Sequence, residues 1–159
     1  MSAGKEQSNS VPTTSGFLVG RYDYAMDPKR RFTIPATWRD LMRKPDSVYI
    51  MPDPHLPCLN LIPPGEMEAR LDKLRQRALF DKSAGEAYRI IGENSEHVSV
   101  DVQGRIRIKD KLLQFAKIDD TVVMIGALNR IQIWSLALRP EEKTVDQATL
   151  AEACETLLF

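Results

Sequence analysis

The feature that most constrains this chain is a segment that occurs twice. Residues 27–34, DPKRRFTI, are matched 74 positions later by residues 101–108, DVQGRIRI. In each copy an aspartate precedes an arginine by four residues, and apolar and polar residues then alternate, as in a strand with one buried face. Residues 46–48, DSV, and residues 120–122, DTV, keep the same offset of 74. Several matched positions at one spacing indicate an internal duplication.

The length of the chain is consistent with an internal duplication, and its uneven distribution of charge predicts a localised binding surface. Its 159 residues suffice for one ordinary domain or for two small half-domains with a shared core. The formal net charge is zero, but residues 28–44 carry six basic side chains and one acid. Residues 141–159 carry five acids and one lysine. A binding partner responds to the local electrostatic field and not only to the net charge, so a neutral chain can still present a basic patch and an acidic tail.

The cysteine content and hydropathy predict the compartment. Cys58 and Cys154 form neither a metal-type pair nor a disulfide framework, which favours a reducing cytosol. No apolar run approaches the roughly 20 residues that span a bilayer, and the first residues lack the apolar core of a signal peptide. We therefore expect a cytoplasmic protein with no membrane partner.

Hydrophobic periodicity predicts the same order of elements in each half, namely strand, turn, strand, short helix, strand and strand. In the first half the strands are expected at 17–26, 31–34, 46–51 and 58–62, and the first two form a hairpin on which the short helix packs through Trp38, Leu41 and Met42. In the second half the strands are expected around 98–102 and 106–108, and at 122–125 and 131–134, with a short helix at 109–116.

The middle of the chain is predicted to be helical. Met67, Leu71, Leu74 and Ala78 recur at helical spacing. Ser83 and Glu86 have the spacing of a capping box for a second helix, which should end at Gly92 and turn its apolar side inward. Its inward residues are expected to be Ala87, Ile90 and Ile91. Residues 145–159 are predicted to form a terminal helix.

These elements predict an α+β protein with five segments. A disordered tail at 1–16 precedes a first unit at 17–64, a helical connector at 65–93, a second unit at 94–137 and a helical tail at 138–159. Neither unit, at about 45 residues, is long enough to hold a core alone, so the two should pack together.

The repeated turns are the strongest candidate site. Strand alternation places Arg105, Arg107 and Lys109 on one face, and Lys29, Arg30 and Arg31 crowd the first turn. Clustered cations suit phosphate groups, and arginine also binds a guanine edge through two donors.

Other interpretations of the turns remain. Asp27 and Asp101 could form a catalytic acid–base pair, but no nucleophile, oxyanion donor or metal ligand lies near them in sequence. They could instead accept turn N–H bonds or hold their arginines, and the whole motif could be a solvated turn, although its duplication disfavours that. His55 and His97 lack zinc-ligand spacing. We expect no catalytic residue, no metal and no cofactor.

The two turns resemble those of the MraZ family, which are bacterial transcription regulators with two tandem AbrB-like (SpoVT-AbrB) units. The family pattern is an Asp-x-Lys-Gly-Arg turn with a strand that ends in Ile/Val-Pro, followed later by an Asp-x-x-Gly-Arg turn. Residues 27–31 with Ile34-Pro35 match the first turn, and residues 101–105 match the second. Residues 57–61 and 131–134 are similar to the strands that close the two units. The resemblance covers about 17–134.

The resemblance implies a swapped-hairpin β-barrel in each unit, with intervening and C-terminal helices. It further implies a ring-like homo-oligomer that binds double-stranded DNA at repeated promoter boxes ahead of the division and cell-wall gene cluster, at the nucleoid. The implied DNA contacts are Lys29, Arg31 and Arg105, with Arg30 and Arg107 beside them, and the turn-stabilising residues are Asp27, Asp101 and Gly104.

One departure and one alternative qualify this expectation. Arg30 stands where the family usually has glycine, so the first turn is strained if that position needs a positive φ. The alternative function is an oligomeric, antitoxin-type interaction module whose basic turns meet an acidic protein. Dependence of binding on DNA sequence separates the two functions.

Removal of residues 1–15 should leave the folded protein intact. The segment is rich in Ser, Thr and Gly and is too polar to contribute to a core. A chain that begins at Gly16 is expected to keep its melting temperature in calorimetry. A loss of several degrees would show that the segment packs on the body.

Overall fold

The computed structural model describes residues 16–72, 74–75, 80–142 and 144–159. The tail expected at 1–15 and Ala78 of the predicted helical stripe lie outside the described residues. The first half contains β1 (Arg21–Ala25), β2 (Phe32–Thr33), α1 (Ala36–Leu41), β3 (Ser47–Pro52) and β4 (Leu59–Ile62). The connector contains α2 (Pro64–Asp72) and α3 (Lys82–Glu93). The second half contains β5 (Glu96–Ser99), β6 (Arg105–Ile106), α4 (Asp110–Phe115), β7 (Thr121–Gly126) and β8 (Ile131–Ser135), and α5 (Gln147–Thr156) follows.

The two halves build one sheet together. Its six strands lie in the order β1-β7-β8-β4-β3-β5, and β2 and β6 form a separate two-stranded ribbon. Every pairing is antiparallel. The α+β class is confirmed. The described strands do not close into a barrel within each half, because four of the pairings, β1–β7, β2–β6, β3–β5 and β4–β8, join different halves.

The expected hairpin between the first two strands is wrong. β1 pairs with β7 and β2 pairs with β6, so both strands find their partners in the second half. A two-stranded hairpin with a two-residue second strand would be marginal by itself. Pairing across the halves instead adds β1 to the large sheet and buries Phe32 completely.

The duplication appears in the structure as twofold pseudo-symmetry. Ala25 of β1 pairs with Thr121 of β7. The residues at the equivalent positions of the other half, Ser99 of β5 and Ser47 of β3, pair with each other in the same way. The backbone N–H of Met26 donates to the carbonyl of Asp120 at 2.7 Å, and that of Val100 donates to Asp46 at 2.8 Å. Equal registers and equal hydrogen bonds at equivalent positions support the duplication predicted from the sequence.

The larger of two hydrophobic clusters among the described residues draws on both halves. Trp38 and Met42 of the α1 region and Leu112 and Leu113 of α4 belong to the same buried cluster as the inner faces of the strands. The cluster also contains Phe32 and Ile106 of the ribbon and, just after its strands, Ile34 and Ile108, each at most 1% exposed. The halves therefore depend on each other for burial, as their small size predicts.

The connector helices differ from the sequence expectation at their ends. The cap of α3 is Asp81, whose Oδ1 accepts the N–H of Ser83 at 2.9 Å and that of Ala84 at 3.4 Å, so the predicted Ser83 capping box is wrong. Aspartate ranks among the best capping residues, and Asp81 has the extended backbone that a cap requires. The helix continues to Glu93, one residue beyond the predicted end.

The apolar side of the connector is not covered by the described part of the chain. Ile90 and Ile91 of α3, predicted to point inward, are 48% and 46% exposed, and Leu74 is 42% exposed. Ala87 is exposed as well. Neither α2 nor α3 has a buried residue among those described, and the same holds for α5. None of the described helices has the length and apolar character needed to cross a membrane.

Replacement of a buried leucine in the shared sheet should destabilise both halves at once. Leu61 is fully buried in β4, the strand that meets β8 of the other half. We expect Leu61→Ala to lower the free energy of unfolding by about 2–5 kcal/mol in a single cooperative transition, measured by chemical denaturation. Leu158→Ala, at a side chain that is 92% exposed, is the matched control and should change it by less than about 0.5 kcal/mol. Two separate transitions would contradict the shared core.

Candidate nucleic-acid interface

The two-stranded ribbon β2–β6 carries the candidate site. Phe32 pairs with Ile106, and Thr33 pairs with Arg105. Both members of the first pair are buried, so the side chains of the second pair lie on the opposite, outer face. Arg31 directly precedes β2, and Arg107 directly follows β6. Three arginines from the two halves thus lie on or directly beside one ribbon.

The first turn is organised by the carboxylate of Asp27. Its Oδ1 accepts the backbone N–H of Lys29 at 2.9 Å and that of Arg31 at 2.8 Å. Its Oδ2 accepts Nε of Arg31 at 2.7 Å. The backbone N–H of Asp27 donates to the carbonyl of Arg31, and the N–H of Arg30 donates to the carbonyl of Asp27. One side chain therefore fixes both the turn and the direction of its arginine, while Lys29 stays exposed at the tip.

The second turn repeats this arrangement. Oδ1 of Asp101 accepts the backbone N–H of Gln103 at 2.9 Å and that of Arg105 at 2.8 Å, and Oδ2 accepts Nε of Arg105 at 2.7 Å. Side-chain exposures are similar too, at 31% for Arg31 and 29% for Arg105. In both turns the aspartate uses Nε, and the terminal Nη groups make no hydrogen bond within the described part of the chain. These groups are the donors with which arginine binds an anion.

Both aspartates are held in the charged form. The backbone N–H of Arg31 and then its guanidinium lower the pKa of Asp27 below the ordinary value, against the opposing effect of desolvation. The backbone N–H of Arg105 does the same most strongly for the pKa of Asp101. Their hydrogen bonds explain the direction, since each bond favours the ionised carboxylate. The geometry makes these carboxylates acceptors rather than proton donors at neutral pH.

The third residue between aspartate and arginine is arginine in the first turn and glycine in the second, and both have a positive φ. Gly104 has a φ of +80°, and a Cβ there would collide with the guanidinium of Arg39. Nε of Arg39 donates to the carbonyl of Ile34, which is fixed in turn by its own N–H on the carbonyl of Gly104. Arg30 also has a positive φ, +60°, so the strain expected from its departure from glycine is present in the backbone.

Two residues near the ribbon are not among the site residues that the sequence predicts. Arg39 lies over Gly104, and Asp110 at the start of α4 forms ion pairs with Arg30 and Arg107, each at 3.7 Å. Sequence offers no signal for either, because both belong to short helices whose position depends on the pairing of the halves. The site therefore combines five predicted cations with three carboxylates, Asp27, Asp101 and Asp110.

Comparison with known proteins gives a consistent set of relatives. A family model described as "MraZ protein, putative antitoxin-like" matches residues 92–138. A protein of Clostridium acetobutylicum named transcriptional regulator MraZ is 30% identical over 142 residues, which are 88% of this chain and 98% of the relative. A protein of Clostridium beijerinckii with the same name is 32% identical over the same shares. One from Pseudomonas syringae pv. syringae, also so named, is 32% identical over 69% of this chain and 74% of its own length.

The two turn aspartates should make the protein sensitive to acid. Because their pKa values are lowered in the folded state, they stabilise it fully above the pKa of the unfolded chain, near pH 4. This stabilisation is lost as the pH falls through the lowered folded values. Denaturation titrations between about pH 6 and 2 should show that Asp27→Asn/Asp101→Asn has a shallower loss of stability than the unaltered protein. Equal slopes would show that the turns do not contribute.

Proposed function

The chain belongs to the MraZ family, and from that membership we propose that it is a transcriptional regulator that binds double-stranded DNA through the outer face of the β2–β6 ribbon. Its targets are repeated promoter boxes, and it binds them as a ring-like homo-oligomer. The relatives named as regulators support the general function. The genes proposed as targets are those of the division and cell-wall cluster, a proposal that rests on the family resemblance.

The observation that carries this proposal is the repeated aspartate-locked arginine on one ribbon. Arg31 and Arg105 are oriented in advance by 2.7 Å bonds and still keep their terminal nitrogens available. An arginine that is already ordered loses less conformational entropy when it binds. Lys29, Arg30 and Arg107 add charge on the same part of the surface. Such a group suits a phosphate backbone, and the paired Nη donors suit a guanine edge.

Multivalency supplies the affinity that one ribbon lacks. Five cations beside three carboxylates give a weak field, and the whole chain has no net charge. Subunits in a ring present the ribbon repeatedly, so that successive DNA boxes are bound at a high effective concentration. The exposed apolar residues of α3 and Leu74 provide a surface that another subunit can cover.

The antitoxin-type module is the second candidate. It draws on the description of the matching family model, which includes the words antitoxin-like. The same cationic turns would then face an acidic protein instead of DNA. Competition with the specific promoter sequence and with scrambled DNA of equal length distinguishes the two functions, since only a regulator prefers the former.

Loss of a turn arginine should weaken DNA binding without unfolding the protein. We expect Arg31→Ala and Arg105→Ala both to raise the Kd for promoter DNA in titrations by fluorescence anisotropy. A lost guanine contact costs about 1–3 kcal/mol at one base position, whereas a lost phosphate contact weakens all sequences alike and flattens the salt dependence. Arg31 should matter more, because Lys29 and Arg30 concentrate charge around it.

The control for these variants is Arg70→Ala. Arg70 is an exposed arginine on α2 and not part of the ribbon, and its loss removes the same charge. Melting curves identify the confounding case, in which an arginine matters mainly as the partner of its aspartate. A folded, oligomeric Arg31→Ala protein with unchanged DNA affinity would falsify the assignment.

The protein is expected to form an oligomer larger than a dimer. Light scattering at micromolar concentration should report a mass well above twice 18.0 kDa. Replacement of Ile90 and Ile91 by aspartate places charges in the proposed contact, so the particles should become smaller while the fold persists. A monomer in the unaltered protein would remove both the ring and the multivalent mechanism.

A further inference from the structure

Asp110 links the two halves of the candidate interface through one oxygen atom. Its Oδ1 lies 3.7 Å from Nε of Arg30 and 3.7 Å from Nη2 of Arg107. Arg30 comes from the first turn, whereas Arg107 follows β6 in the second half. The oxygen of one carboxylate is therefore flanked by guanidinium groups from both copies of the duplicated motif.

These contacts are loose in comparison with the turn bonds. A separation of 3.7 Å is too long for a hydrogen bond, while each turn aspartate holds its arginine at 2.7 Å. The side chains are 42% exposed for Arg30, 49% for Arg107 and 63% for Asp110, and exposed pairs contribute little to stability. Nε of Arg30 is shielded from solvent and makes no hydrogen bond. The cluster is thus able to exchange its anion.

The cluster also breaks the pseudo-symmetry of the fold. At the offset of 74 residues, the counterparts of Arg30, Arg107 and Asp110 are Gly104, Thr33 and Ala36, which carry no charge. The turn geometry occurs twice per chain, but this arrangement of two cations and one anion occurs only once among the described residues. It is therefore a feature of the surface rather than a requirement of the turn.

We propose that the Asp110 carboxylate occupies the place of a DNA phosphate oxygen between Arg30 and Arg107, and that it limits the affinity of the interface. This inference rests on the proposed DNA-binding function. A phosphate that enters the position would gain two guanidinium partners and would displace the carboxylate. Arg31 and Arg105 stay locked to their aspartates, so Arg30 and Arg107 are the arginines that change partner.

Repulsion outweighs orientation in this arrangement. Asp110 is a positioning residue, since it holds two guanidinium groups on either side of one oxygen-sized position. Because the pairs are exposed and long, that orienting effect is small. The negative charge opposes an approaching phosphate directly, and it still does so after the carboxylate has been displaced from the binding position. Removal of the charge should therefore strengthen binding.

The test is Asp110→Asn, which keeps the shape of the side chain and removes its charge. Anisotropy titrations with promoter DNA should give a Kd about threefold lower for each engaged subunit, as expected for one unit charge at about 7 Å in water. The plot of log K against log salt should steepen by about one counterion, because one more phosphate is neutralised. Asp110→Glu keeps the negative charge and should not show this gain in affinity or the steeper salt dependence.

Two controls separate this effect from a change in net charge or fold. Glu152→Gln, on the exposed helix α5, alters the total charge equally and should leave both Kd and salt slope unchanged. In a chain with Arg30→Gly and Arg107→Thr, which copies the counterpart residues, Asp110→Asn should lower the Kd by a smaller factor, because the position no longer offers a phosphate two guanidinium groups. Melting temperature and particle size are followed for every variant, with Asp110→Glu as the conservative reference if Asp110→Asn is less stable.

The outcomes distinguish this inference from the proposed function. If the unaltered protein binds promoter DNA and Asp110→Asn leaves affinity and salt slope unchanged, the inference is wrong and the function stands. If the unaltered protein binds no DNA, the proposed function is wrong. Elution from heparin, a sulfated polyanion, then still tests the anion position, because Asp110→Asn should elute at higher salt than Glu152→Gln. Equal elution would overturn the inference.

Discussion

Antiparallel pairing between the two halves is the interaction on which the rest of the structure depends. It joins β4 to β8 in the middle of the sheet, adds β1 and β5 at its edges and creates the β2–β6 ribbon. Each half supplies apolar faces that it cannot cover alone. Pairing between the halves covers these apolar faces. In the ribbon, for example, Phe32 pairs with Ile106, and both side chains are buried on its core side. The cationic face is the outer side of that same closure.

The turns show how a short sequence makes a rigid arginine. A single aspartate accepts two backbone N–H groups and one guanidinium nitrogen, so the turn and the side chain are ordered together. The cost is electrostatic, because each aspartate offsets the charge that it orients. Each turn therefore holds its arginine in a fixed orientation but presents a weaker positive electrostatic field. A site of this kind suits recognition of a shape or a base edge better than indiscriminate binding of polyanions.

The proposed oligomer accounts for two features of the chain together, the weak net field of one ribbon and the exposed apolar side chains of the helices. The connector leaves Ile90 and Ile91 half exposed, a burial deficit that a second subunit can correct. An assembly built through that surface repeats the ribbon without any increase in charge per chain. In the proposed mechanism Asp110 lowers the affinity of each ribbon for DNA. The total effect on affinity multiplies with the number of engaged subunits.

The sequence by itself determined the duplication, the α+β class, the order of elements in each half and the alternation that turns Arg105 and Arg107 away from Ile106 and Ile108. These features are local, since they depend on spacing along one strand or helix. Only the tertiary structure decided which strands pair. Alternation identifies the buried face of residues 31–34 but not the partner of either early strand, and the expected hairpin is replaced by pairing of β1 with β7 and of β2 with β6. The positions of Arg39 and Asp110 follow from that exchange: contacts between residues about 70 positions apart leave no periodicity along the chain.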